Sequence, residues 1–183
     1  MEHLGTVKLE TERLILTKFN KEMAREMFNN WASSEKVTKF LTWNAHKSIL
    51  ETRSIIEQWE KCYINKDFYQ WAIYLKNERT VIGSISVVNI NYEKEEVITG
   101  YCIGEKWWGK GITAEAYKSV IEFLFNNVKV KKIIGRHDKD NPNSGKVMIK
   151  CGLKYVKTII DKNPKDSSNK IDLLIYELNN PNN

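Results

Sequence analysis

Cysteine and histidine are scarce in this sequence, and their spacing excludes several kinds of site. The three cysteines, Cys62, Cys102 and Cys151, lie far apart and form no C-x-x-C pair. A disulfide framework or a structural zinc site needs cysteines that are more numerous or closer together. The three histidines form no H-E-x-x-H motif, the zinc-binding signature of many metalloproteases. We therefore predict buried, unreactive thiols and no bound metal.

Long apolar stretches are also absent. No segment approaches the roughly 20 apolar residues that a membrane-spanning helix requires. Residues 1–12 contain carboxylates but no apolar core of the kind found in a secretory signal. The sequence therefore predicts a cytoplasmic protein with no membrane partner.

The remaining composition is that of an ordinary soluble domain. Apolar residues make up 42% and charged residues 28% of the chain, both close to the averages for globular proteins. No repeat or linker-like segment interrupts it, so we expect a single domain over residues 1–183. The net charge of +6 suits a phosphorylated cofactor, an acidic substrate or a ribosomal surface. The lysines are spread through every segment instead of forming one stripe, and this predicts no direct contact with nucleic acid.

Hydrophobic periodicity divides the chain into strand and helix segments. Alternating apolar residues indicate strands, and apolar residues at helical spacing indicate helices. The resulting order, β-α-α-β-β-β-α-β-α-β-β, predicts an α/β (α+β) fold with about four helices around a mixed sheet of about seven strands. Strands are expected at residues 12–19, 69–75, 80–89, 96–103, 132–137, 153–160 and 171–178, and helices at 21–31, 48–63, 111–124 and 141–151.

Two helices carry recognisable capping residues. Ser48 followed by Glu51 has the pattern of a capping box at the start of the second helix. Asn141 precedes Pro142 and is predicted to cap the fourth helix, which Gly152 should terminate. Residues 180–183 are expected to fray.

The most informative segment is Gly109-Lys110-Gly111, which joins a predicted strand to a predicted helix. The first N–H groups of a helix lack internal partners and lie at the positive end of its dipole, so a phosphate binds well there. Glycines let a pyrophosphate approach the backbone closely. The spacing fits neither G-x-G-x-x-G nor G-x-x-x-x-G-K-[ST], so dinucleotide and P-loop sites are disfavoured. A tight turn without a ligand is the alternative interpretation.

Two segments resemble a known family. Lys106-x-x-Gly109-x-Gly111 resembles the pyrophosphate loop of the GNAT superfamily of N-acetyltransferases, Q/R-x-x-G-x-G/A, with lysine as a departure at the first position. The string WWGKGITAEA and the segment from Asn141 to Leu153 are similar to the RimJ/RimL-type branch, which acetylates the N-termini of ribosomal proteins. The second segment resembles that branch's N-x-x-S-x-x-V-M-x-K-x-G-[FLM] pattern. Residues 10–14 are similar as well, so the resemblance spans nearly the whole chain.

The resemblance implies the GNAT fold, with a mostly antiparallel twisted sheet, and acetyl-CoA as cosubstrate without a metal. A strand edge near Cys102 and Ile103 would bind the pantetheine arm and offer an N–H to the oxyanion. Asn141 would both cap its helix and orient the cofactor. The implied cofactor-binding residues are Cys102, Ile103, Lys106, Trp108, Gly109, Lys110, Gly111, Ile112, Thr113, Asn141, Ser144 and Lys146.

Two residues are predicted to be catalytic. Many members of the superfamily protonate the leaving thiolate with a tyrosine at the position that Met148 occupies here. Ser144 therefore becomes the candidate general acid, either directly or through a water. Glu105 is the preferred general base because it follows the predicted cofactor strand. Spacing does not exclude the other candidates, which are Glu95, Glu96, Glu115 and Asp138.

These observations predict direct acetyl transfer to a primary amine in a ternary complex, with a ribosomal protein N-terminus as the first candidate. A small amine such as a polyamine or an aminoglycoside is the alternative acceptor. Two non-catalytic alternatives are an acetyl-CoA sensor and a basic module that binds ribosomes or nucleic acid. Sequence alone leaves open whether Trp43, Trp71 and Trp107 line an acceptor cleft, and whether the protein is a monomer or a homodimer.

Overall fold

A single eight-stranded sheet forms the centre of the computed structural model, which describes residues 1–181. Across the sheet the strands follow the order β1-β2-β3-β4-β5-β6-β8-β7. The strands are β1 (Leu9–Glu10), β2 (Leu14–Lys18), β3 (Gln70–Leu75), β4 (Thr80–Asn91), β5 (Glu96–Ile103), β6 (Lys132–Asp138), β7 (Lys154–Asn163) and β8 (Asp166–Asn179). The helices are α1 (Ala24–Met27), α2 (Glu35–Thr38), α3 (Ile49–Cys62), α4 (Ile112–Phe123) and α5 (Pro142–Lys150).

The predicted fold class is confirmed, although the counts differ slightly. The additional strand is the two-residue β1, and the additional helix is the four-residue α2. The helix predicted at residues 21–31 is divided into a 3₁₀ turn, the short α1 and a π-helical turn at Phe28–Ala32. Ser33 explains the π turn, because its N–H (3.2 Å) and its hydroxyl (2.8 Å) both donate to the carbonyl of Phe28.

All strand pairs are antiparallel except β5 with β6. This parallel pair covers only four residues of each strand and ends at Thr99 and Gly135. Beyond that point β5 stays paired with β4 as far as Ile103, while β6 stays paired with β8 as far as Asp138. The sheet therefore opens between two interior strands, β5 and β6.

The two faces of the sheet carry separate hydrophobic cores. Successive residues of a strand point to opposite faces, so Trp71 packs in the core that includes α4, whereas Ala72 packs in the core that includes α1 and α3. Tyr117 is fully buried on the α4 side, and Trp31 is fully buried on the other side. The helices thus cover both faces and hold the opened strands in place.

The capping predictions hold only in part. Ser48 accepts a hydrogen bond from the N–H of Glu51 (3.1 Å), but the Glu51 carboxylate accepts from Lys47 (2.7 Å) and not from Ser48 as in a capping box. Pro142 opens α5, and Gly152 follows it with φ +93° as predicted. The side chain of Asn141 makes no capping hydrogen bond, so that prediction was wrong. The backbone carbonyl of Asn141 instead accepts a hydrogen bond from the Ser144 N–H (3.2 Å).

Two further expectations need correction. Cys151 is buried as predicted, but Cys62 and Cys102 are only partly buried. Burial nevertheless raises the pKa of the Cys102 thiol, and it raises the pKa of Cys151 to about 11, so both thiols stay protonated at neutral pH. Asn180, which was expected to fray, is buried and donates to the carbonyls of Phe125 (3.3 Å) and Val130 (2.9 Å). Residues 182 and 183 of the predicted fraying end lie outside the described residues.

A membrane-spanning helix would need more length and more apolar character than any helix within residues 1–181 has.

Replacing Tyr117 by phenylalanine should destabilise the fold measurably. The Tyr117 hydroxyl lies 2.6 Å from the Thr99 hydroxyl inside the core, and its loss leaves Thr99 with a single long bond of 3.4 Å to Ile134. We expect the unfolding free energy in urea to fall by about 1–2 kcal/mol. The exposed Tyr92, which bonds Asp67 at 2.6 Å, provides the control. Tyr92→Phe should cost less than about 0.5 kcal/mol, and equal losses would contradict the prediction.

Candidate active site

A cleft with a volume of about 620 Å³ opens where β5 and β6 separate. Its size suits a small-molecule ligand together with part of a second substrate. Residues 101–103 of β5 form its floor, α5 and the start of α4 form one side, and the segment 36–41 around the end of α2 forms the other. The cleft contains all the residues predicted to bind the cofactor except Lys106 and Lys110.

Two glycines shape the loop that enters α4. Gly109 and Gly111 both have φ +73°, which residues with a side chain rarely adopt. Gly111 is the N-terminal cap residue of α4 and has no side chain that could satisfy the first amides of the helix. The first N–H groups of α4 are thus available to a ligand at the positive end of the helix dipole. The residues present fit the pyrophosphate site that the sequence predicted.

Two cations that the sequence analysis did not assign to the site flank this loop. A β-carbon placed on Gly111 would lie 3.5 Å from Lys150 Nζ and 3.8 Å from an Arg13 guanidinium nitrogen. Both are therefore close enough to a phosphate bound at the loop to stabilise it electrostatically. Lys150 belongs to the segment 141–153 that resembles the family, and Arg13 belongs to residues 10–14, which resemble it as well.

Arg13 also fixes the conformation of the loop. Its Nη1 donates to the carbonyl of Lys110 (3.1 Å), and its Nε donates to the carboxylate of Glu115 in α4 (2.6 Å). Glu115 accepts further hydrogen bonds from the Arg13 N–H (3.0 Å) and the Thr11 hydroxyl (2.6 Å). Burial alone would raise the pKa of Glu115, but these donors outweigh it and the pKa is lowered. An ionised Glu115 thus ties the start of β2 to the loop.

The other four candidate bases are all engaged in contacts of their own. Glu115 is engaged with Arg13, Glu95 with Lys131 (2.7 Å) and Glu96 with Lys132 (3.0 Å). None of the three carboxylates lines the cleft. Asp138 accepts a hydrogen bond from the N–H of Asp140 (2.8 Å) and is also outside the lining.

Glu105 lies beside the cleft and not in its wall. It begins a 3₁₀ turn directly after β5, is about half exposed, and forms an ion pair with Lys36, which does line the cleft. Lys106, the next residue, points away: its Nζ pairs with Glu78 (2.6 Å) and lies 5.0 Å from the centre of the Trp107 ring. Lys110 contributes a carbonyl to the Arg13 contact.

Ser144 lines the cleft next to a tyrosine that the sequence analysis missed. The Ser144 hydroxyl donates to Tyr101 Oη (3.2 Å), and Tyr101 Oη donates to the Ser144 carbonyl (2.8 Å). Tyr101 lies on β5 and also lines the cleft, and burial raises its pKa. At neutral pH two hydroxyl groups therefore retain their protons side by side. A tyrosine in a strand with alternating apolar residues is typical of core packing. The sequence pattern therefore did not indicate that Tyr101 lines a cleft.

The edge of β5 provides the remaining polar groups. Because β6 separates after Thr99, the backbone groups of residues 100–103 that point away from β4 have no strand partner among the described residues. One acceptor is used: the carbonyl of Ile103 accepts from the indole N–H of Trp108 at 2.8 Å. The other groups on this side of β5 are available to a ligand arm. The binding roles of Cys102 and Ile103 stay predictions.

The tryptophans divide between the cleft and the core. Trp107 and Trp108 line the cleft. Trp71 is fully buried, and its indole N–H donates to the carbonyl of Val7 at 2.7 Å. Trp43 packs on the α1–α3 side, with its ring 5.1 Å from that of His46. Of Trp43, Trp71 and Trp107, Trp107 alone therefore lines the cleft.

Comparison with known proteins identifies the class to which this fold and cleft belong. Residues 13–154 match the family described as "Acetyltransferase (GNAT) domain". The chain is 27% identical to the uncharacterized N-acetyltransferase p20 of Bacillus licheniformis over 140 residues, which is 76% of this chain and 78% of that protein. It is 24% identical over 86 residues to the [Ribosomal protein uS5]-alanine N-acetyltransferase of Escherichia coli, 46% and 44% of the two chains.

A solved structure agrees at the level of the fold. The Microcin C7 self immunity acetyltransferase MccE, in complex with acetyl-CoA and AMP, superposes with a TM-score of 0.81 at 21% identity. The match covers 92% of this chain and 93% of that one.

The chain belongs to the GNAT acetyltransferases, which use acetyl-CoA as the acetyl donor. The prediction of an acyltransferase is thereby confirmed. In residues 1–181, the histidine, cysteine, aspartate and glutamate side chains form no group of three or more that could hold a metal ion.

Replacing Arg13 by alanine should weaken acetyl-CoA binding more than it weakens the fold. The variant loses the bonds to Glu115 and Lys110 and one cation beside Gly111. We expect the dissociation constant measured by calorimetry to rise on the order of 10-fold or more. Arg13→Lys should be intermediate, because lysine keeps the charge but not the planar fork.

Arg53, which is exposed on α3 and pairs with Glu57 (3.1 Å), is the matched control. Arg53→Ala should leave the affinity unchanged. If Arg13→Ala lowered the melting temperature but kept the wild-type affinity for acetyl-CoA, Arg13 would have a structural role alone.

Proposed function

We propose that this enzyme transfers the acetyl group of acetyl-CoA to the N-terminal amine of a protein, with a ribosomal protein as the first candidate. The amine would attack directly in a ternary complex. The observation that carries the proposal is the continuous cleft, in which the Gly109–Gly111 loop and the segment 36–41 face the same opened strand edge. Donor and acceptor can therefore meet at residues 101–103.

The relatives support this acceptor. One of them is named as an enzyme that acetylates an alanine of ribosomal protein uS5, although it matches fewer than half of this chain's residues. The sequence segment containing Asn141 and Ser144 resembles the same branch. A small-molecule amine remains the alternative acceptor to be tested beside it.

The chain's own groups can perform each step of the transfer. The glycine loop and the start of α4 hold the pyrophosphate, with Lys150 and Arg13 as nearby cations. A free N–H on the β5 edge stabilises the oxyanion that forms when the amine attacks the thioester carbonyl. The new C–N bond is complete when the C–S bond breaks and the thiolate leaves.

Two protons must then be moved. The attacking amine loses one, and we assign its acceptance, through water, to Glu105 beside the cleft. The thiolate gains one, for which Ser144 is the donor. Tyr101 accepts from the Ser144 hydroxyl in the structure (3.2 Å). After Ser144 has given up its proton, the Tyr101 hydroxyl can turn from the Ser144 carbonyl to donate to Ser144 Oγ, and water returns a proton to Tyr101.

The activity itself is tested by measuring thiol release with purified protein and acetyl-CoA. A peptide that begins with alanine and follows a ribosomal protein N-terminus should be acetylated, and mass spectrometry should place the acetyl group on its α-amine. Polyamines and aminoglycosides serve as competing acceptors. Efficient acetylation of one of these, with no reaction at the peptide, would replace the proposed acceptor.

Ser144→Ala should lower kcat by roughly 10- to 1000-fold and leave the acetyl-CoA dissociation constant nearly unchanged. Tyr101→Phe should have a smaller effect of the same kind. If the two hydroxyls serve one proton path, the double variant should lose no more than the more damaging single variant. Independent, multiplying losses would separate Tyr101 from the Ser144 path, and a wild-type kcat in Ser144→Ala would remove the serine from the mechanism.

Asn141→Ala is the control for the helix start. Its side chain makes no capping bond, so we expect a stability loss below about 0.5 kcal/mol and not the roughly 1 kcal/mol of a removed cap. Its effect should appear in the KM for acetyl-CoA, because Asn141 lines the cleft.

Glu105→Gln should lower kcat/KM roughly 10- to 100-fold at neutral pH. A protein α-amine has a pKa of about 8, so it becomes neutral without help as the pH rises above that value. The deficit of the variant should therefore shrink between neutral pH and about pH 9. Glu78→Gln, which removes the partner of Lys106 outside the cleft, is the matched control and should stay close to wild type. A Glu105→Gln deficit that is constant with pH would assign Glu105 a structural role through Lys36.

A further inference from the structure

The acceptor side of the cleft has an excess of positive charge. Lys36 and Lys39 line it, on α2 and directly after it. Lys165 reaches the same segment from the turn between β7 and β8, where its Nζ donates to the carbonyls of Thr38 (2.5 Å) and Lys39 (3.4 Å). Lys165 thus holds the backbone of the segment 36–41, and the ammonium groups of Lys36 and Lys39 line the cleft.

Few carboxylates balance these charges. Glu105 pairs with Lys36, and Asp140 is the one carboxylate among the described lining residues. Glu35, at the start of α2, is outside the lining. The Nζ of Lys39 lies 5.0 Å from the centre of the Phe40 ring, and among the described residues it pairs with no carboxylate.

Lys39 is separate from the cations that phosphates would neutralise. Lys146 and Lys150 lie on α5, on the side of the glycine loop, and Arg13 also lies beside that loop. The phosphates of acetyl-CoA bound there would be matched by these groups. Lys36 pairs with Glu105 and lies 5.7 Å from the centre of the Trp108 ring, whereas within residues 1–181 no carboxylate pairs with Lys39.

We propose that the acceptor is an anionic amine, namely a polypeptide N-terminus followed within a few residues by aspartate or glutamate. The proposal rests on the proposed acetyl transfer and narrows its substrate class. Complementary charge raises the rate and affinity of association, and like charge suppresses the wrong partner. A polyamine or an aminoglycoside would bring several positive charges to Lys36 and Lys39 and would be disfavoured.

The test compares three peptides of equal length with the same first residue. Their next three residues are acidic, neutral or lysine, and spermidine is the fourth ligand. Calorimetry measures binding to the enzyme saturated with CoA, and thiol release measures turnover with acetyl-CoA. At low salt we expect the acidic peptide to bind about 10-fold or more tightly than the lysine peptide, with a smaller difference at physiological salt because exposed charges are screened.

Lys39→Glu tests the assignment of the surface. The Lys39 side chain has no carboxylate partner among the described residues, so its replacement breaks no ion pair there. The Lys39→Glu variant should reduce or reverse the preference for the acidic peptide. Lys61→Glu makes the same change of net charge at the end of α3, away from the cleft, and should leave the preference intact. A preference lost equally in both variants would show that overall charge, and not the wall at 36–41, selects the peptide.

The two proposals fail in different ways. Tighter binding of the acidic peptide without any thiol release would support this inference and contradict the proposed transfer. Thiol release with equal or greater preference for the lysine peptide or spermidine would support the transfer and overturn this inference. Failure of all three peptides to bind the enzyme–CoA complex would also overturn it.

Discussion

The end of the parallel pairing between β5 and β6 is the constraint on which the site depends. Four residue pairs join the two strands. After Thr99 and Gly135, β5 pairs only with β4 and β6 pairs only with β8. Backbone groups in a sheet interior are normally all paired, so an opened pair in the interior of a sheet exposes donors and acceptors that a ligand can use. The antiparallel partners make this possible. Pairing with β4 keeps β5 extended, and pairing with β8 keeps β6 extended, although β5 and β6 no longer pair with each other.

The second requirement is a loop held in a conformation that few residues adopt. Two glycines with φ +73° in one turn remove the strain of that conformation, but neither has a side chain that could anchor the loop. Arg13 and Glu115 supply the anchor from outside, through the Lys110 carbonyl on one side of Gly111 and the body of α4 on the other. The residues at the start of β2, although distant in sequence, therefore belong to the predicted phosphate site.

The sequence was sufficient for features that depend on neighbours along the chain. The strand-glycine-helix order predicted the loop at Gly109 and Gly111, and Pro142 with Gly152 marked the limits of α5. It was insufficient where contacts join distant segments: Arg13 meets Glu115 across 102 positions, and Lys165 meets Thr38 across 127. Such pairs leave no spacing pattern to detect.

The pairing of Tyr101 with Ser144 brings two hydroxyl groups together in the cleft, and the proposed proton donation depends on them. Position 148, where the family resemblance implies a tyrosine in many members, holds a methionine that is 2% exposed and packs in the α4-side core. The cleft receives its hydroxyls one turn earlier on α5, from Ser144, and from Tyr101 on β5. A tyrosine on the strand is held by the sheet on one side and by the Ser144 carbonyl at 2.8 Å on the other. A phenol fixed in this way loses little freedom when the ligand binds. In the proposed mechanism Ser144 donates the proton from the helix, and Tyr101 supports it from the strand.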